Sequence, residues 1–167
     1  MFKLNQRLEF ADANIDVLAV GEVLADIISS KLVPSFREAK SFDRHFGGSP
    51  ANIVMNVKKL GAQSAMISKL GADGIGDYLL EQLKDRGVDT RGVFRDDEHN
   101  TSIVLVTQSK ESPAFLAYRD ADKFIRQEEI EEAQGVIKDS KIVHLSTFAL
   151  SAPITRQSIL KVIDIAS

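Results

Sequence analysis

The chain has 167 residues, 44% hydrophobic and 27% charged, with a net charge of −3 and no cysteine. That is one domain's length of chain, able to bury about 70% of its unfolded surface. The composition excludes disulfides and cysteine-ligated metals, and it carries no clustered basic excess of the kind that nucleic-acid or membrane-surface binding requires. Lys3, Arg7, Glu9 and Asp12 interrupt any signal-peptide core, and no apolar run approaches membrane-spanning length. The expectation is a soluble protein of a reducing cytoplasm.

Ile15 to Val20 is a nearly continuous apolar run ahead of Gly21, the pattern of a buried strand. Extended character resumes from Gly21 to Ile28, with Asp26 set between Ala25 and Ile27. Alternation along a strand would turn Asp26 to solvent. Equally, a carboxylate at the carboxyl end of the first strand stands where open α/β sheets bind ligands. Residues 31 to 46 read as an excursion with strand character near Phe42 to Phe46. Gly48 or Ser49 can then cap a helix with Pro50 in its first turn. Ile53, Val54, Val57 and Leu60 give that helix an apolar stripe, and Gly61 ends it. Gln63 to Leu70 is the next strand. Asp73 caps a second helix, with Ile75, Leu79, Leu80 and Leu83 at helical spacing up to Gly87.

From Val88 onward three short strand candidates follow without helices between them: Val93-Phe94, Thr101 to Thr107 and Ala114 to Arg119. They predict an antiparallel insertion. Glu128 to Lys138 reads as a helix whose early glutamates suit its dipole and form a solvated face. Lys141 to Ser146 is another buried strand, and Pro153 opens a last helix through Ile159, Val162 and Ile163. The order predicts a three-layer α/β, doubly wound sheet with a small β-rich flap at one edge. About three core strands would leave an apolar edge uncovered, so the sheet is expected to continue past Ser167.

Gly71-Ala72-Asp73-Gly74-Ile75-Gly76 lies between strand and helix, but its glycines run G-x-x-G-x-G, the reverse of a dinucleotide fingerprint. A structural turn capped by Asp73 is the better reading, and a nucleotide-binding Rossmann module is the disfavoured one. No P-loop, G-x-S-x-G or H-E-x-x-H occurs. His45, His99 and His144 have no metal-ligand spacing, so no metal site is expected.

Gly47-Gly48-Ser49-Pro50-Ala51-Asn52 is more specific, because Gly61 follows one helix later and Gly71 one strand after that. This register resembles the first signature of the ribokinase-like (PfkB) family of carbohydrate kinases, with Val54 where the family has a small residue. The resemblance covers nearly all of residues 1–167, read as the N-terminal portion of such a kinase domain. It implies a ribokinase-like sheet, incomplete here, with a β-sheet lid formed by segments near 31–46 and 93–119. It implies that Asp26, Gly47, Gly48 and Asn52 bind the sugar. Tyr118-Arg119, followed by Ala121-Asp122, is similar to fructokinases and 2-keto-3-deoxygluconate kinases, which implies a substrate contact for Arg119; a solubility charge on the lid edge is the alternative. Asn100-Thr101-Ser102 lacks the glycine common after that threonine.

The chemistry is coherent. A neutral sugar needs paired donors and acceptors in place of water, which an aspartate, an asparagine and open backbone supply. The family's D-T-x-G-A-G-D and N-x-x-E motifs do not occur in these residues. No catalytic residue is therefore expected in this chain, and Asp77 is not read as the base. ATP and magnesium are expected to belong to a half that is absent. The resemblance thus implies the sugar-binding half of an ATP-dependent sugar kinase, by itself inactive, with a small-molecule sugar as partner and a homodimer through the lid strands. The alternative is a truncated, inactive sugar-binding or association module.

Overall fold

The computed structural model describes residue 10 and residues 12–167. Four parallel strands form the main sheet: β1 (Ile15–Val20), β4 (Ser64–Gly71), β5 (Asp89–Asp96) and β8 (Ser140–Leu145), in the order β5-β4-β1-β8. A second sheet, ordered β3-β2-β6-β7, is built from β2 (Leu24–Leu32), β3 (Phe42–Gly47), β6 (Ile103–Gln108) and β7 (Phe115–Tyr118). Helices α1 (Ser49–Lys59) and α2 (Gly74–Asp85) connect the parallel strands on one side. On the other lie α3 (Gln127–Glu132), α4 (Gln134–Lys138) and α5 (Pro153–Ala166).

Alternation along the buried strands divides the core in two. Leu18, Val20, Ala65 and Ile67 face Ile130, Ile137, Ile159 and Val162 of the later helices. Ala19, Met66 and Leu70 face Val54, Leu79 and Leu83 of the first two. A strand buried on both faces is predominantly apolar, which is why β1 and β4 read so clearly in the sequence.

Several expectations need correction. Val93-Phe94 is not part of the flap: β5 runs parallel to β4 in the main sheet, which therefore has four strands rather than three. Its opening Asp89, Thr90 and Arg91 mask the pattern of a buried strand. Gly92 lets it approach, since a Cβ there would lie 2.5 Å from Ile67 Cγ1. The second sheet thus takes in β2, the segment expected from residue 93 joins it only at Ile103, and the sheet is mixed, because β2 and β6 pair in parallel. Asp26 stands on β2, in the second sheet, not at the end of the first strand. The helix expected over Glu128 to Lys138 is two, divided at Ala133.

Candidate functional site

Chain geometry brings three of the five expected residues together at the turn between β3 and α1. Opposite Gly47 on β2 stands Leu24, and Asp26 pairs with His45. A Cβ on Gly47 would lie 2.5 Å from Asp26 Oδ2, so only glycine lets the aspartate sit against this backbone. Gly48 has φ 101°, the left-handed region, and a Cβ there would lie 2.4 Å from the carbonyl oxygen of Glu22. Burial raises the pKa of Asp26 above the ordinary aspartate value, and the His45 charge partly opposes it. No hydrogen bond to Asp26 contributes, so its carboxylate keeps its acceptor capacity for a ligand.

Asn52 follows one turn into α1, where its N–H donates to Gly48 O (2.9 Å). Its side chain is exposed, on an open hollow with Met55, Asn56, Lys59 and Arg86. Among the described residues no hydrogen bond links its amide to Asp26.

Arg119 is placed elsewhere and is largely committed. Its Nε donates to Asp122 Oδ2 (2.8 Å), joined by Nη2 (2.5 Å), while Nη1 donates to Phe148 O (3.2 Å) and Ser151 Oγ (2.6 Å). The guanidinium also lies 3.9 Å above the Phe148 ring. Of its five N–H groups, one on Nη2 is left for a ligand. Asp122 is buried and also accepts from Ser102 Oγ. Arg119 is therefore a clamp between the end of the second sheet and the turn before α5. The i,i+3 spacing of Arg119 and Asp122 was the available signal for this pair.

Neither glycine-led helix start is open to a phosphate. At α2, Asp73 Oδ1 accepts from the N–H groups of Ile75 (3.0 Å) and Gly76 (2.8 Å), and Oδ2 accepts from Thr101 N–H (2.7 Å). Burial pushes its pKa up, but these bonds outweigh it and leave the group below the ordinary aspartate value. At α1, Ser49 N–H donates to Glu22 Oε1 (3.3 Å). A carboxylate already occupies each positive helix end, so these residues do not fit the phosphates of ATP. Nor do Asp96, Glu98 and His99, whose ligand atoms converge, fit magnesium, because the Lys69 ammonium is paired with Asp96 (3.1 Å) and Glu129 (2.8 Å).

Glu22 is the residue that sequence reasoning missed. It is 3% exposed, and its Oε2 has no hydrogen-bond partner among the described residues. The signal was a charged residue one glycine beyond a buried strand. A hollow of about 540 Å³ lies at the opposite, amino-terminal end of the sheet around Asn14, Gln63 and Arg91, away from every one of these groups.

A four-stranded parallel sheet, a second mixed sheet and an aspartate set against a Gly-Gly helix start together describe a layered α/β protein. Residues 14–167 match the model of the pfkB family carbohydrate kinases, and the chain belongs to that family. It is 42% identical over 164 residues to the ATP-dependent 6-phosphofructokinase of Thermoanaerobacterium thermosaccharolyticum, covering 98% of this chain and 50% of that protein. The Halothermothrix orenii fructokinase structure is 41% identical with a TM-score of 0.82, over 91% of this chain and 53% of that one. A sugar kinase of Pyrococcus horikoshii, solved in complex with ATP, is 35% identical with a TM-score of 0.84, over 89% and 48% of the respective chains. The chain spans about half the length of the curated relatives it matches.

Proposed function

We propose that this chain is the sugar-binding half of an ATP-dependent carbohydrate kinase, acting on fructose, 2-keto-3-deoxygluconate or a similar sugar. The observation that carries the reading is the Asp26 carboxylate, half-buried against the Gly47 backbone with its acceptor capacity unused. In that role Asp26 accepts from sugar hydroxyls, the Gly47-Gly48 backbone approaches the ring, and Asn52 offers both a donor and an acceptor from the first turn of α1. The lid sheet excludes water, and Arg119 contributes its one uncommitted N–H. The γ-phosphate, magnesium and the base that would activate the hydroxyl belong to residues outside this chain. Supporting this are the absence of the D-T-x-G-A-G-D motif and the self-capped helix starts. Amide exchange tests the site directly. Saturating fructose or 2-keto-3-deoxygluconate should slow exchange at the amides of Gly47, Gly48, Ser49, Ala51, Asn52 and Asp26, and unchanged exchange there with both sugars contradicts the assignment.

A second reading, association through the lid, draws on β7, all of whose side chains are exposed. Phe115 and Tyr118 are 67% and 55% accessible. It is compatible with the first, as a homodimer that closes one lid against another.

A further inference from the structure

Residues two apart on a strand share a face, and residues directly opposite on paired strands share it too. Asp26 lies opposite His45, and Ile28 lies opposite Asp43. On its other flank Asp26 is paired with Val104 of β6. The space that a Cβ on Gly47 would fill is taken by the Asp26 carboxylate, and Gly47 stands two residues from His45 on β3. Asp26, Gly47 and His45 therefore meet on one face of the second sheet. Arg44 is turned to the other face, where its guanidinium lies 3.6 Å from the ring centroid of Tyr78 on α2.

Of the two residues that flank Asp26, only His45 can form a hydrogen bond through its side chain, because Val104 is apolar. Asp43, one pair further along, is acceptor-only when ionised. The His45 ring is exposed, and among the described residues no hydrogen bond holds it. Its charge reaches Asp26, where it opposes the effect of burial, yet no ion pair joins the two. A carboxylate and an imidazole side by side, neither closed on the other, leave an opening for a ligand with neighbouring hydroxyls, one donating to Asp26 and the next accepting from the ring. A sugar acid suits this face poorly, since its carboxylate would add a third negative charge beside Asp26 and Asp43. Polar residues also guard an edge strand such as β3 against pairing, but that role asks nothing of a bound sugar.

We infer that His45 is a second sugar ligand, holding the hydroxyl next to the one that Asp26 takes, and that this pair selects an uncharged sugar over a sugar acid. The inference rests on the sugar-site reading above and narrows it toward fructose. His45 here sets specificity, and no proton is transferred in binding.

Proton–nitrogen NMR of the imidazole rings, recorded on the chain with and without saturating fructose, reads the contact itself. The His45 ring signals should shift, while those of His99 and His144 stay in place. In calorimetric titration His45→Ala should bind fructose about tenfold more weakly, the upper end for one neutral hydrogen bond. One monodeoxyfructose, lacking the hydroxyl that His45 holds, should bind the parent chain and His45→Ala equally. The parent chain should bind 2-keto-3-deoxygluconate about tenfold or more weakly than fructose. Unmoved His45 signals with fructose bound, unchanged fructose affinity in His45→Ala, or a sugar acid held as tightly as fructose would each overturn the inference. Fructose binding that is lost in Asp26→Ala but indifferent to His45→Ala leaves the sugar site standing without His45. No binding of fructose by the folded parent chain removes both.

Discussion

In its proposed role Asp26 is a residue arranged for binding at the expense of stability. Its folded-state pKa is raised by burial, so folding favours the protonated form. That contribution is present below the unfolded value and is lost as pH rises through the folded one, which makes the ionised group a burden at neutral pH. Asp26→Asn should thus leave Tm at pH 7 unchanged or raise it by up to about 3 °C in a thermal melt, while sugar binding is lost. A clear fall in Tm would show that the carboxylate is held by contacts that stabilise it. Arg119 is the opposite case. It and Asp122 form a nearly dry pair, with side chains 11% and 1% exposed. Removing one partner strands the other, so Arg119→Ala should lower stability by about 3 kcal/mol, and Arg119→Lys should not restore it because lysine lacks the fork. Sugar affinity should fall by about tenfold, the lower end for one hydrogen bond to a charged group. A loss of 100-fold with stability intact would make Arg119 a substrate ligand first. The resemblance that marked Arg119 could not reveal this division, because the sequence does not show that Asp122, Phe148 and Ser151 converge on it.

At the scale of elements, α2 depends on a cap that was legible from Asp73 and its position ahead of Gly74 to Gly76. What could not be read was the third bond, from Thr101 N–H, which ties the helix start to the loop before β6. The pKa of Asp73 is depressed on folding, so its stabilisation holds above the unfolded value and is lost as pH falls through the folded one. Asp73→Asn should be less stable at pH 7 by about 1 kcal/mol and should lose less stability between pH 5 and 2 than the parent chain. Parallel acid-unfolding curves for the two would contradict the capping account. The exposed β7 face belongs to this scale too. If the lid mediates association, Phe115→Glu with Tyr118→Glu should shift a concentration-dependent dimer to monomer in sedimentation at unchanged Tm. An unaltered profile removes β7 from the interface. Legibility here followed burial. Strands β1 and β4, buried on both faces, were plain, whereas β5 opens with polar residues and was assigned to the flap. The division of α3 from α4 was hidden because the residues around Ala133 keep helical composition on both sides of the break.

At the scale of the whole, the described residues form a layered sheet with glycine-led turns at the carboxyl side of its strands, and most of that plan follows from glycine spacing and apolar runs. The sequence left unresolved which strands share a sheet, because the parallel pairing of β2 with β6 joins segments about 78 residues apart, as in Ala25 with Ile103, beyond the reach of local patterns. It also left Glu22 unnoticed, since only the fold shows that its second oxygen is buried alone. Given ATP, magnesium and either sugar, the chain by itself should show no turnover, as neither capped helix start can take the phosphates; measurable product would place catalytic residues within these 167. The central claim is that Asp26 and the Gly47-Gly48 turn form a sugar site, and calorimetric titration of the chain with fructose and with 2-keto-3-deoxygluconate tests it most directly. The account predicts saturable binding of at least one of them, weakened about 100-fold or more in Asp26→Ala. Binding of equal strength in the parent chain and Asp26→Ala, or no binding of either sugar by a folded parent chain, would contradict it.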